Sequence, residues 1–241
     1  MSDILINSYR LAHKLYQFLL NPVLTKPKLQ MKAQTLLCFL IIKFALSFVF
    51  VMLLFIAKVP RSSSVKPMSE QYGFWTIILL VTVLIPILEE LMFRSFLRFN
   101  KYYVLVSSFL LTHLVLSKFY FKEGWLTITP DLPTRLTIPL IVGLLGFALA
   151  VKLKQRLNKA WSTYFPYLFY ISFLLFGLLH ITKFEINAKT IILAPFLTAP
   201  QVIGGIIYSY VRVQYGLIYS IKLHAINNVV PAMVMAMTSI Y

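Results

Sequence analysis

Apolar blocks long enough to cross a bilayer recur along this chain, and they constrain its fold more than any other feature. They run over Thr35–Ala57, Gly73–Asn100, Tyr103–Phe119, Leu136–Val151, Pro166–Ile181, Thr190–Val211 and Gly216–Ser239. A bilayer core needs about 20 apolar residues of helix and tolerates no unpaired backbone. The blocks therefore predict an all-α polytopic membrane protein, a bundle of about seven transmembrane helices. With 59% hydrophobic and only 12% charged residues, and a mean hydropathy of +0.81, an ordinary soluble domain is excluded.

Ahead of the first block, Ile4 to Leu20 places Asn7, Arg10, Lys14 and Gln17 at helical spacing, with Leu, Ile and Tyr on the other face. That pattern predicts a helix lying in the membrane interface, ended by Asn21-Pro22. Residues 1–34 thus read as an N-terminal interfacial helix and linker, and 35–241 as the transmembrane helical domain. The formal net charge of +16 comes from Lys and Arg between the apolar blocks. This distribution marks topology and lipid-headgroup contact, not nucleic acid. The richer set of alternate connections includes Lys26, Lys28, Lys101, Lys154 and Arg156, which places the N-terminus on the cytoplasmic side. No small-residue cleavage site follows a short apolar core, so no removable signal peptide is expected, and a bacterial inner membrane is the expected setting. The lone Cys38 permits neither an internal disulfide nor a cysteine metal cluster.

Seven acidic residues occur in 241, and two stand side by side at the end of an apolar run, in Pro86-Ile-Leu-Glu89-Glu90-Leu-Met-Phe-Arg94. An ionisable residue inside a span points to function. Helical neighbours project about 100° apart, so the two carboxylates have different tasks. Arg94 lies one turn beyond Glu90 and can pair with it, leaving Glu89 to face the interior as a proton acceptor. Two further sites carry Phe176-Gly-Leu-Leu-His180 and His224-Ala-Ile-Asn-Asn228. In the second, His224 and Asn228 share a face as two donors able to hold an oxyanion; helix–helix hydrogen bonding is the competing reading. Asn227 reads as structural. His113, in Phe109-Leu-Leu-Thr-His113, repeats the Phe-to-His spacing and competes with His180. At 1.5 Å per residue, Glu89 and His113 lie about 16 Å in from the basic connections, His224 about 15 Å and His180 about 21 Å. Tilt absorbs such a difference.

In this order the motifs resemble those of the CAAX-processing and bacteriocin-processing family of intramembrane proteases: Glu-Glu-x-x-x-Arg, Phe-x-x-x-His and His-x-x-x-Asn, each on a membrane helix. The resemblance covers about residues 73–230. The departure is the interval from Glu90 to His180, long enough for two spans beyond the short loop and single helix often seen in the family. The context Leu-Leu-Phe-Gly-Leu-Leu-His favours His180 over His113. The resemblance implies that Glu89 and His180 activate water, that Glu90 with Arg94 orients the first carboxylate, and that His224 and Asn228 stabilise the oxyanion. It implies a membrane-associated peptide or lipidated, CAAX-like protein as substrate. Glu89, His180 and His224 offer the three N/O ligands of a catalytic zinc, and a metal-free, glutamate-activated water is equally consistent with them. Two other classes fit the same residues: a proton- or cation-coupled carrier, for which Pro195, Pro200, Gln201, Gly204 and Gly205 give an interrupted sixth span, and a non-enzymatic binding or immunity protein on this scaffold.

Overall fold

A computed structural model of the chain describes residues 2–28, 30–57 and 72–237. Helix α1 is Ser2–Leu20 and α2 is Ala33–Ala57. Helix α3 has two segments, Phe74–Leu79 and Ile85–Phe93, joined by a π-helical turn at Leu80–Leu84. Helix α4 (Lys101–Val115) continues into a π-helical turn, Leu116–Tyr120. Then come α5 (Leu132–Lys152), α6 (Lys154–Thr163) and α7 (Phe165–Leu178), the last prolonged by a 3₁₀ turn at Leu179–Lys183. Helices α8 (Ala188–Leu197), α9 (Ala199–Tyr215), α10 (Leu217–Asn227) and α11 (Val229–Met237) complete the described chain.

The fold is the all-α polytopic membrane bundle that the apolar blocks predict. Among the described residues, five helices are long and apolar enough to cross a membrane: Ala33–Met52, Phe74–Leu97, Lys101–Tyr120, Leu132–Lys152 and Phe165–Lys183. They correspond to the first five blocks. The sixth block is bent by 41° between α8 and α9, and counts as one span only if the pair is taken together. The seventh does not form one helix: Asn228 interrupts it, leaving α10 and α11 of 11 and 9 residues. Its last residues lie outside those described. The long interval between Glu90 and His180 contains the two spans α4 and α5, packed on each other. Gly143 permits that contact, since a Cβ there would stand 3.1 Å from Leu105 O.

Helix α9 is the hub. It packs on α2, α7 and α10, and its Ile207, Val211 and Val213 are buried. The Gly205–Ser209 spacing brings it close to α7, as small residues do between membrane helices. A Cβ on Gly205 would lie 3.0 Å from Phe173 Cβ, and Ser209 Oγ is 3.2 Å from Ser172 Oγ. Helix α1 is more than an interfacial strip. Its Leu15 is buried with Phe39, Ile42 and Val211, and its Phe18 meets Phe169 and Tyr210 edge-on. Arg10, Lys14 and Gln17 remain on the exposed face, as their spacing predicts.

Candidate active site

Pro86 determines how α3 presents its acids. It has no N–H, and its ring conflicts with the carbonyl four residues earlier; the widened π turn just upstream accommodates it. Within that turn the Ile85 N–H bonds to Leu80 O. The next donor in π register would be Pro86, so the Val81 carbonyl lacks a backbone partner. Asn228 supplies one: its Nδ2 donates to Val81 O at 3.1 Å. Its Oδ1 accepts from Asn227 Nδ2, also at 3.1 Å. Asn228 therefore fastens the break between α10 and α11 to the break in α3. Asn227, buried, belongs to the same clasp.

One helical turn on, the adjacent acids part company. Glu90 is fully buried. Its Oε1 lies 3.5 Å from Arg94 Nη1 and 2.9 Å from His224 Nδ1, and Ser220 Oγ donates to its Oε2. Glu89 keeps some solvent exposure and accepts no hydrogen bond from a described residue. Its Oε2 lies 3.5 Å from His224 Nε2. The two carboxylates thus address opposite nitrogens of one imidazole. With an acceptor carboxylate at Nδ1, that nitrogen is a donor, and Nε2 is the nitrogen turned towards Glu89.

Aromatic rings fix this geometry. Tyr208 lies flat on His224, with centroids 4.4 Å apart and planes 18° apart. Phe176 stands edge-on to His224 at 5.8 Å and to His180 at 4.8 Å. The buried Arg94 guanidinium sits 3.9 Å from the Phe176 centroid; no hydrogen bond reaches its three nitrogens, so Glu90 and the ring face stabilise it. His180, on the 3₁₀ turn, donates from Nδ1 to Phe176 O at 2.6 Å, leaving Nε2 as acceptor. Gly177 makes this corner possible, because a Cβ there would come within 3.2 Å of the Val202 backbone. Gly216, with φ +102°, turns the chain so that α10 runs back along α9. That return brings Ser220 and His224 to Tyr208.

Glu89, Glu90, Arg94, His180 and His224 are thereby gathered around Phe176, from α3, α7 and α10. Tyr208 and Ser220 are members that sequence reasoning missed. His113 stands apart. Its two ring nitrogens face Arg135 O at 2.9 Å and Trp125 O at 2.7 Å, in a cluster where buried Arg135 bonds Ser117, Thr129 and Gly124.

Residues 71–230 match the family described as type II CAAX prenyl endopeptidase, Rce1-like. The chain belongs to that family. No curated protein and no solved structure matches it. A multi-pass membrane protein of the CAAX prenyl endopeptidase family is a membrane protease, and the matched segment contains every residue of the Phe176-centred cluster. Among the described residues, no three His, Cys, Asp or Glu side chains converge as metal ligands. Both Glu90 oxygens and His224 Nδ1 are already committed to protein partners.

Proposed function

We propose that this member of the CAAX prenyl endopeptidase family hydrolyses a peptide bond of a membrane-associated or lipidated, CAAX-like substrate by means of a glutamate-activated water. The observation that carries this reading is the 3.5 Å approach of Glu89 Oε2 to His224 Nε2, with the other imidazole nitrogen anchored on Glu90. A water seated beside Glu89 and an acceptor Nε2, of His180 or His224, gives up a proton to Glu89 as its oxygen attacks the scissile carbonyl. The proton passes from Glu89 to His224 Nε2. The imidazolium, balanced by Glu90, donates to the oxyanion and then protonates the departing amide nitrogen as the C–N bond breaks. A new carboxylic acid and an amine result.

Arg94 and Ser220 act through Glu90, and Tyr208 and Phe176 by orienting the imidazoles. Asn228 combines two tasks in this account: it completes the α3 backbone, and the second hydrogen of its amide is available to the oxyanion.

The test is direct. Purified protein in detergent is incubated with prenylated and unprenylated versions of one peptide, and products are read by mass spectrometry. Selective cleavage of the prenylated peptide supports the substrate class, whereas equal cleavage of both removes the lipid requirement and no cleavage of either removes the activity. The basic end carrying Lys101, Lys154 and Arg156 is cytoplasmic in this reading. A Lys154→Cys variant in bacterial spheroplasts is expected to resist an impermeant thiol reagent until the membrane is opened; labelling of intact spheroplasts reverses the orientation.

A further inference from the structure

The break in the sixth span has a use inside a protease. The chain bends by 41° between α8 and α9, and Gln201 lies in the first turn after the bend. Gln201, Gly205, Tyr208 and Arg212 follow one another at spacings of four, three and four, so they form one stripe along α9. Three members of that stripe meet the catalytic cluster. Arg212 Nε donates to Arg94 O at 3.1 Å, Tyr208 lies flat on His224, and a Cβ on Gly205 would stand 3.2 Å from the Phe176 ring. Gln201 is the fourth member and faces the same wedge between α7 and α10. Its depth matches that of His180: the next residue, Val202, lies against Gly177, three residues before His180.

A glutamine in a membrane bundle commonly bonds to a neighbouring helix. Gln201 Oε1 is buried, and among the described residues no donor reaches it. An acceptor closed off in this way is destabilising, and folded proteins leave few of them. The backbone N–H of Gln201 is already used by Thr198 O, so the carboxamide is the group left to meet an incoming molecule. What its oxygen lacks is a donor. An extended peptide brings one, since each residue other than proline carries an N–H that needs a partner away from water. One hydrogen bond answers both deficiencies.

We propose that Gln201 is a substrate-binding residue whose Oε1 accepts a backbone N–H of the peptide lying between α7 and α10. The proposal rests on the endopeptidase reading of the Glu89–His224 pair and adds a contact that orients the main chain beside it. Such a contact is indifferent to side chains but rejects proline at one position, because proline has no N–H to offer.

The test uses an S-farnesyl peptide ending in Ser-Cys-Val-Ile-Ala and four analogues, each with the amide before one of the last four residues replaced by an ester. An ester removes the N–H without adding bulk. Binding is measured to full-length Glu89→Gln protein, so that it does not depend on cleavage. One ester is expected to bind about tenfold more weakly than the parent, as the loss of one buried hydrogen bond provides. Adding Gln201→Met, of similar shape but without the acceptor, is expected to weaken the parent by about the same factor and to erase the difference at that one position. Gln201→Glu keeps an acceptor oxygen and is expected to keep the difference. Because Gln201→Met removes an acceptor without a donor, it should melt no lower than the unsubstituted protein. An ester profile unchanged by Gln201→Met overturns the contact, and so does a clear fall in its melting temperature, which assigns Gln201 to the fold. Failure of wild-type protein to cleave the parent peptide, with the ester profile as expected, overturns the endopeptidase reading instead. No binding of the parent peptide overturns both.

Discussion

Glu90 Oε1 meets His224 Nδ1 at 2.9 Å in a position closed to solvent. Its neighbour Glu89 reaches the other nitrogen of the same ring at 3.5 Å. One acid is therefore an anchor, and the other has a carboxylate free to work.

The anchor is expected to matter for stability. Glu90→Gln leaves Arg94 fully buried without its counter-charge, and breaking such a pair costs about 3–5 kcal/mol. Thermal unfolding in detergent should show a large fall for this variant, while Glu89→Gln stays close to wild type. Similar melting temperatures for both variants would show that the adjacent acids are not differentiated in this way.

Asn228 gives a second contrast. If it completes the α3 backbone, Asn228→Ala orphans the Val81 carbonyl and lowers stability by about 1–3 kcal/mol, besides reducing turnover. A residue serving only the oxyanion would lose turnover with no change in melting. Thermal unfolding and turnover measured on the same preparation distinguish the two cases.

His113 and His180 are expected to respond in opposite ways. His113→Ala removes contacts to Arg135 O and Trp125 O, so melting falls while cleavage by the folded fraction persists. His180→Ala, on the 3₁₀ turn beside Phe176, abolishes cleavage with a smaller effect on melting. The reverse pattern would transfer the catalytic role to His113.

These contrasts also mark what the sequence made legible. The separation of Glu89 from Glu90 and the pairing of Glu90 with Arg94 follow from helical spacing alone. The small-residue spacing of Gly205 and Ser209 likewise points to close packing of the sixth span, but not to α7 as the neighbour. The clasp by Asn228 was not legible, because it depends on a π turn in Leu80-Val-Thr-Val-Leu84 that no residue there announces; only Pro86 hints at it. His224 and Asn228 read as two donors on one face, yet the helix ends at Asn228 and its amide turns to the backbone of α3. Tyr208 and Ser220 are ordinary helix residues in sequence. They enter the site through the reversal at Gly216, where the glycine itself was the available signal. The break in the seventh block was not legible for the same reason as the clasp: apolar composition continues through Asn228, where the helix is interrupted.

Close packing provides a further test. Gly205→Leu must force its side chain against Phe173, where a Cβ alone already lies 3.0 Å from Phe173 Cβ. Overpacking of this kind costs about 1–3 kcal/mol. It should also displace α7, and with it Phe176 and His180, so cleavage should fall more than folded yield. Unchanged melting and turnover would mean that α7 and α9 are less tightly joined than the geometry indicates.

The most direct measurement compares cleavage of one farnesylated peptide by wild-type and Glu89→Gln protein, both purified in detergent and shown to melt alike. The account expects the variant to lose a factor of about 10²–10⁴ in rate, the contribution of a positioned general base, with substrate binding retained. Cleavage by Glu89→Gln at the wild-type rate would contradict it.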